Sequence, residues 1–364
     1  MGSLRATIKS QHDGAGPPHK LDGPVEPSLP VSGIGQLCRG EMNTLLKYSS
    51  LVIIIIQTTT MVLVLRFSRT QDIPGPRYLS SSAVVASEFL KLLVCASVLL
   101  WENDGSPLQL ARLIHQEVWR KPKETCKMLV PAGLYTLQNN LLFLALSLLD
   151  AATYQVTYQL KILTTALFSV VMLKRRLSLQ QWIALLLLMG GVVLVQLPVA
   201  ASDKEVTQAS ATSRLVGLLA ILASCFSSGF SGIYLEMLLK GVSQSLWIRN
   251  IQLAMCALIL GIVAMFLADY QKLVTGGFFQ GYNYITWTVI ALQAFGGLVV
   301  SLAVRYADSI LKGFATSISI VLSALCSYFF LGDFLPTIDF LAGAFLVIFS
   351  TIMYGIPMSA GSSK

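Results

Sequence analysis

Four ionisable side chains, Glu88, Lys91, Lys161 and Lys312, interrupt long apolar stretches that otherwise carry almost no charge. An ion at mid-membrane depth costs roughly 3 kcal/mol even on a lenient insertion scale, so a residue kept there usually serves a ligand or a pathway. Their formal sum is +2, which points to an anion. Glu88 and Lys91 stand three apart and can pair on one helix face, so a structural ion pair is the stronger reading of them. Lys161 and Lys312 are placed differently. Asp150 lies too far along a helix to reach Lys161, whereas Asp308, one turn before Lys312, is within reach of it. A cation in such a place attracts a phosphate at about 4 Å by some 4 kcal/mol at an effective dielectric near 20. Lysine suits the task because it binds phosphate as a point charge that also lets go.

The neighbours of these lysines are polar in a particular way. Tyr135, Gln138, Asn139 and Asn140 cluster in one apolar stretch, and Tyr154, Gln155, Thr157, Tyr158, Gln159 and Lys161 in the next. On a helix, Tyr154, Thr157, Tyr158 and Lys161 follow the i, i+3, i+4, i+7 spacing and share a face, which in lipid must point inward. Asn and Gln offer paired donors and acceptors for a nucleobase edge, and Tyr offers a ring for stacking and a hydroxyl for ribose. Interhelical bonding is the competing reading for any one of them, at about 0.6 kcal/mol apiece. The small-residue run Ser227-Ser228-Gly229-Phe230-Ser231-Gly232 and the pair Gly296-Gly297 read as close-packing surfaces and are also compatible with helix bending beside a ligand.

These residues must be held by membrane-spanning helices. Hydrophobic residues make up 54% of the 364-residue chain, charged residues 12%, and mean hydropathy is +0.69; soluble domains carry about a quarter charged residues. Ten apolar stretches are long enough to cross a hydrocarbon layer of roughly 30 Å as helices, near 45–66, 80–101, 126–148, 150–173, 179–199, 214–239, 247–268, 284–304, 309–331 and 337–357. The expected fold is an all-α polytopic membrane protein of ten transmembrane helices in two inverted five-helix repeats. Residues 44–199 and 214–357 form the repeats, 200–213 a lumenal loop, 1–43 a disordered cytosolic tail rich in Gly, Pro and Ser, and 358–364 a cytosolic C-terminal tail. The repeat rests on a shift of 158 positions that superposes Ala166 on Ala324, Leu167 on Leu325, Ser169 on Ser327, Leu173 on Leu331 and Asp150 on Asp308. An odd number of spans per copy inverts the second, an arrangement common in secondary transporters with a site near mid-depth.

Of the 26 Lys and Arg, 17 fall on the side of the termini, six on the other and three inside spans, which predicts cytosolic termini. The net charge of +8 is thereby explained without nucleic acid. Six scattered cysteines without a C-x-x-C pair read as small core residues, and no metal-ligand spacing, Walker loop or nucleophile–base set occurs, so no cofactor, metal or catalytic residue is expected. No Asn-x-Ser/Thr sequon occurs, and Ala6 breaks a myristoylation signal.

Several runs resemble the Golgi nucleotide-sugar transporters of the drug/metabolite transporter superfamily: Tyr135 through Asn140, Asp150 through Phe168, Ser227 through Gly232, Trp247 through Gln252, Phe278 through Tyr282 and Leu311 through Ser317, within a similarity running from about Lys47 to Gly355. The resemblance implies ten helices, cytosolic termini, a multi-pass Golgi location, and exchange of cytosolic nucleotide sugar for lumenal nucleoside monophosphate. It assigns nucleotide contacts to Tyr135, Gln138 and Asn139, phosphate contacts to Lys161 and Lys312, and further pocket positions to Ser228 and Asn250; Tyr154 and Tyr158 join them from the shared helical face. The CMP-sialic acid branch carries a Tyr and a Ser where this chain has Ala254 and Cys256, which favours uridine. The Leu311–Ser317 and Phe278–Tyr282 runs are most similar to UDP-N-acetylglucosamine and UDP-galactose carriers, while Arg305 and Ser309 replace an expected Lys and Asn.

The expected function is therefore a UDP-sugar/UMP antiporter that works by alternating access, with UDP-sugar, UMP and membrane lipids as partners and a homo-oligomer or a glycosyltransferase complex as further possibilities. The alternatives are a carrier of CMP-sialic acid or another nucleotide sugar, a carrier of non-nucleotide metabolites, and a non-transporting scaffold for glycosyltransferases. A scaffold has no use for unpaired buried lysines.

Overall fold

The computed structural model describes residues 31–70, 78–149, 151–202, 211–241, 244–331 and 336–356. The chain divides into two units, Met1–Met42 and Asn43–Lys364, and the membrane-spanning segments all belong to the second. Among the described residues the structure is all helix. In chain order the helices are α1 (Val31–Thr70), α2 (Ser80–Glu102), α3 (Pro107–Ile114), α4 (Pro122–Lys127), α5 (Leu129–Leu148), α6 (Ala151–Tyr158), α7 (Leu160–Leu173), α8 (Leu179–Ser202), α9 (Ala211–Lys240), α10 (Leu246–Gly276), α11 (Tyr284–Tyr306), α12 (Ser309–Cys326) and α13 (Ile338–Gly355). Single π-turns follow α3 at His115–Trp119 and α12 at Ser327–Leu331.

Among the described residues ten segments are long and apolar enough to cross a membrane, and they coincide with the ten stretches read from hydropathy to within a few residues, except that the seventh runs on to Gly276, eight residues past its expected end. Helix α1 begins at Val31, inside the segment expected to be a structureless tail. Hydropathy marks where a helix can enter lipid, and residues 31–43 are too polar to register even though they continue the helix. The rest of that tail, residues 1–30, and the C-terminal tail lie outside the described residues.

Helix starts follow local chemistry. Asn283 and Thr286 form a reciprocal capping box at α11, Asp308 accepts from Leu311 N at 2.7 Å to open α12, and Thr337 accepts from Phe340 N to open α13. Each satisfies amides that would otherwise be orphaned at a helix end.

Two expected spans are built from broken helices. The third is α4 and α5 joined at Met128, whose N–H bonds Thr125 O rather than the carbonyl four residues back. The fourth is α6 and α7 joined at Gln159, where the Gln159 N–H bonds Val156 O at 3.2 Å and the Ile162 N–H bonds Gln159 O at 3.0 Å. The first break is announced by Pro131, which has no N–H for Lys127 O and crowds that carbonyl; the second has no proline or glycine beside it. The carbonyls freed at the second break are met from α9: the Cys225 thiol lies 3.5 Å from Tyr158 O and 3.8 Å from Thr157 O. Irregular backbone at membrane depth is tolerated only where protein re-satisfies it, and Cys225 does so here.

Glycines allow the closest helix contacts. A Cβ on Gly229 would stand 2.8 Å from the Thr164 carbonyl carbon, so α9 lies directly on the α7 backbone; the α8–α13 crossing is a mutual glycine contact in which a Cβ on Gly343 would meet Gly191 O at 2.7 Å. Small residues at crossings let backbones approach where lipid offers no hydrophobic drive between helices. Beneath that crossing, Leu185, Leu188, Val192, Ile310, Phe314, Phe340 and Val347 form one core that joins α8, α12 and α13. Close packing at Gly343 against backbone rather than flexible side chains means that Gly343→Ala lowers stability by about 1–3 kcal/mol. The check is thermal unfolding of the purified variant in detergent; an unchanged midpoint would show that α8 and α13 can part without cost.

Candidate functional site

The site is assembled around the second helix break. α6 ends at Tyr158 and α7 begins at Leu160, so Tyr158 and Lys161 are presented from opposite sides of a tightened turn. The Lys161 ammonium sits over the Tyr158 ring, 4.0 Å from its centroid, a cation–π contact. Tyr154 stacks on Tyr158 with centroids 6.0 Å apart and planes at 21°. From α5, Gln138 Nε2 donates to the Tyr158 hydroxyl at 3.2 Å, and Gln138 Oε1 has no partner although the residue is buried. A buried acceptor left in this state either costs free energy or awaits a donor from a ligand.

A cavity of about 210 Å³ opens beside this turn. It is lined by Tyr158, Lys161, Ser228, Ser309, Lys312 and Thr316 among others. Four of the residues expected at a site, Tyr158, Lys161, Ser228 and Lys312, therefore share one space. Tyr154 and Gln138 support Tyr158 from behind, and Tyr135 is hydrogen-bonded to Ser231 through its side chain. Asn139 is exposed and outside the lining. Asn250 is 4% exposed and fully engaged within the protein: its Oδ1 accepts from Ser301 Oγ at 2.7 Å and its Nδ2 donates to Leu246 O. Glu88 and Lys91 form their own pair at 2.7 Å.

Sequence reading missed the residue that sets the charge balance here. Glu236, in the last turns of α9, is completely buried. One of its oxygens lies 2.5 Å from Arg175 Nη2 and 2.8 Å from Lys240 Nζ, and the other accepts from the Ser309 backbone N–H at 2.9 Å. A carboxylate on the first amide of α12 also meets the positive end of that helix. Asp308, within sequence reach of Lys312, instead caps α12 and lies 3.4 Å from Arg175. Both carboxylates near the cavity are thus taken by Arg175 and Lys240. Among the described residues no carboxylate stands within ion-pair distance of Lys161 or Lys312. The one sequence signal for Glu236 is its i,i+4 relation to Lys240; Arg175 lies 61 positions away.

A second polar brace was also hidden. Arg249, counted with the loop cations, is 2% exposed; its Nη2 lies 3.0 Å from Glu124 Oε2 and its Nη1 donates to Gln252 Oε1. Gln252 in turn donates to Glu117 O. Glu117, in the segment between the second and third spans, has its carboxyl held below the usual carboxylate range, chiefly by the hydrogen bond from Lys121. The brace ties α10 to the start of the third span.

Among the described residues the bundle has ten apolar helical spans and a cavity lined by Tyr158 and by two lysines without a carboxylate partner, the architecture of a polytopic membrane carrier. Comparison with known proteins makes the class specific. A family model for nucleotide-sugar transporters matches residues 42–355, and the chain belongs to that family. It is 54% identical over 314 residues to the UDP-N-acetylglucosamine transporter of Canis lupus familiaris, covering 86% of this chain and 96% of that protein. It is 50% identical to a UDP-N-acetylglucosamine/UDP-N-acetylgalactosamine transporter of Caenorhabditis elegans, covering 85% and 93%. With the UDP-galactose translocator of Homo sapiens it shares 46% identity, over 87% and 79%. In fold it is similar to a protein of known crystal structure, with a TM-score of 0.60 at 14% identity, over 86% of this chain and 97% of the other. These relatives are transporters, and this chain is a multi-pass membrane transporter rather than an enzyme.

Removing one partner from a buried ion pair costs about 3–5 kcal/mol. Glu236→Ala and Glu236→Gln both remove that charge and lower the thermal midpoint, and Glu236→Gln is expected to lose about 1 kcal/mol less because its amide oxygen still accepts from the Ser309 N–H. Equal losses in the two variants, read by unfolding in detergent, would mean that the amide contact contributes nothing.

Proposed function

We propose that this chain carries UDP-sugars, UDP-N-acetylglucosamine and UDP-galactose foremost, across the Golgi membrane in exchange for UMP. The observation that carries the reading is the pair Lys161 and Lys312 on one cavity, with the carboxylates of Glu236 and Asp308, among the described residues, already engaged by other groups. A diphosphate supplies the missing negative charge at close range. The substrates of the named relatives support the uridine diphosphate class.

Each neighbouring group then has a role. Tyr158, backed by Tyr154, offers its ring to the base once the Lys161 ammonium that now covers it turns to the phosphate. Gln138 lies behind Tyr158, outside the lining of the closed cavity, and its free Oε1 accepts from the imide N–H of uracil when the helices separate, a donor that cytosine lacks at the same ring position. Ser228 and Thr316 offer hydroxyls to ribose or sugar. Ala254 and Cys256 are buried against other helices and outside the cavity lining, so no cytosine-reading group stands there.

Transport follows from the size of the site. A cavity of about 210 Å³ falls below the roughly 300–1,000 Å³ typical of pockets for drug-sized ligands, so the helices around it separate to admit a nucleotide sugar. In the inverted-repeat reading, Lys161 and Lys312 come from different halves, and rocking of one half on the other opens the site to alternate sides. The lysine and arginine asymmetry supports cytosolic termini. A UDP-sugar and UMP each carry close to two negative charges near neutral pH, since phosphomonoesters have a second pKa near 6; the exchange is then nearly electroneutral and each charge leaves the lysines only as another arrives.

The test is uptake of several nucleotide sugars into proteoliposomes holding the purified chain, with and without internal UMP. Internal UMP is expected to accelerate UDP-N-acetylglucosamine and UDP-galactose entry. Uptake indifferent to UMP would remove the exchange mechanism, and CMP-sialic acid as best cargo would remove the base assignment. Lys161→Ala and Lys312→Ala should fold yet lose roughly a hundredfold or more of exchange, given an attraction of some 4 kcal/mol at stake in each. Gln138→Leu should weaken UMP competition by about tenfold, the cost of leaving a donor unpaired. Epitopes at the two termini should both be reachable in intact Golgi vesicles without detergent.

A further inference from the structure

The link between the second and third spans contains a surface that transport does not use. Ser106 accepts from Gln109 N and Pro107 occupies the first helical position, so α3 starts sharply after α2 ends. Its inner face is used for packing: Leu110, Leu113, Ile114 and Val118 join Cys95, Leu99 and Ile248 in one cluster. Its outer face has no protein cover. Leu108 is 61% exposed and Trp119 66%, and Trp101, at the end of α2, is 82% exposed. Leu108, Arg112, His115 and Trp119 recur at the spacing that places residues on one side of a helix. Exposed tryptophans at the end of one span and just before the next occupy the level where aromatic belts sit in a bilayer.

The same segment carries an open cavity of about 400 Å³ lined by Ala111, Arg112, His115, Gln116 and Arg120. No acidic side chain lines it. The carboxylate nearest in sequence, Glu117, is held by Lys121 and Gln244, and Glu124 is held by Lys127 and Arg249. Among the described residues no ion pair occupies Arg112 or Arg120. Two guanidinium forks and an imidazole around a small cup form a donor set for phosphate, flanked by residues that favour the headgroup region.

We propose that the Pro107–Arg120 shelf binds the headgroup of an anionic phospholipid in the leaflet on the side of the chain termini, with Arg112 and Arg120 on its phosphate and Leu108 and Trp119 in the adjoining acyl boundary. The choice of leaflet rests on the orientation given under the proposed function, since the cytosolic leaflet is the anionic one; the headgroup chemistry stands apart from it. The chemistry is shared with soluble phosphates. The apolar flanks favour the lipid.

The test is native mass spectrometry of the full chain released from nanodiscs, without nucleotide present. The three arms are phosphatidylcholine alone, phosphatidylcholine with phosphatidylinositol 4-phosphate, and phosphatidylcholine with soluble inositol 1,4-bisphosphate. The chain should retain the phosphoinositide, and the Arg112→Ala/Arg120→Ala variant should retain roughly tenfold less or lower, as expected for losing two cations near a membrane surface. Trp119→Ala should lower retention of the lipid without affecting soluble phosphate. Equal retention by the double variant would overturn the site, and so would preference for the soluble bisphosphate. UMP-driven exchange measured on the same preparations separates the two proposals: the double variant should keep exchange in phosphatidylcholine, and an unmodified chain that retains the phosphoinositide yet shows no UMP-driven exchange would count against the transport reading alone.

Discussion

Charge buried at membrane depth has to be balanced locally, because low-dielectric surroundings make an unpaired ion costly. Around the central cavity that balance is arranged by Glu236. Its carboxylate takes two cations and the first amide of α12, so it joins the end of α7, the end of α9 and the start of α12 at one point. Asp308 is drawn into the same cluster through Arg175. What remains is an imbalance of one sign: Lys161 and Lys312 face the cavity without a carboxylate among the described residues. The ion cluster and the site are therefore one arrangement, the first consuming the negative charge that would otherwise neutralise the second.

The same economy governs the backbone. Breaking the fourth span at Gln159 brings Tyr158 and Lys161 into cation–π contact, and it frees carbonyls that must be met inside the bundle. The Cys225 thiol lies beside two of them, and Thr164 Oγ1 bonds Cys225 O in return at 2.8 Å. That exchange requires α7 and α9 to lie very close, which Gly229 permits. The small-residue run that read equally as packing or as bending is, at Gly229, a packing contact against backbone. At Ser228 and Gly232 the same run lines the cavity. One segment serves both purposes by turning different faces.

Much of this was legible beforehand, for physical reasons. Ten spans were visible because a helix in lipid must be apolar along roughly 20 residues. Lys161 and Lys312 stood out because insertion makes a stray charge expensive, and the structure places both on one cavity. The pair Glu88–Lys91 was visible because three-residue spacing is a local property of a helix. Other features had no such marker. Glu236 finds Arg175 across 61 positions, and Arg249 looked like a loop cation until Glu124 and Gln252 enclosed it. Spacing left Asp308 within reach of Lys312, and only the fold shows that a helix cap and Arg175 take that carboxylate instead. Asn250 carried a motif match, yet its amide is committed to Ser301 and Leu246.

The amino-acid sequence by itself determined the class of this protein: a ten-span membrane chain with too few carboxylates for its buried lysines, its family written in long matching runs. Those properties depend on composition, on local helical spacing and on motifs, none of which needs a third dimension. The tertiary structure decided which lysines stay unpaired, where the fourth span breaks, and which polar side chains share a cavity and which are used up elsewhere. Each of those outcomes is a competition between partners distant in the chain, and only the packing of the helices brings the competitors within a few ångströms of one another.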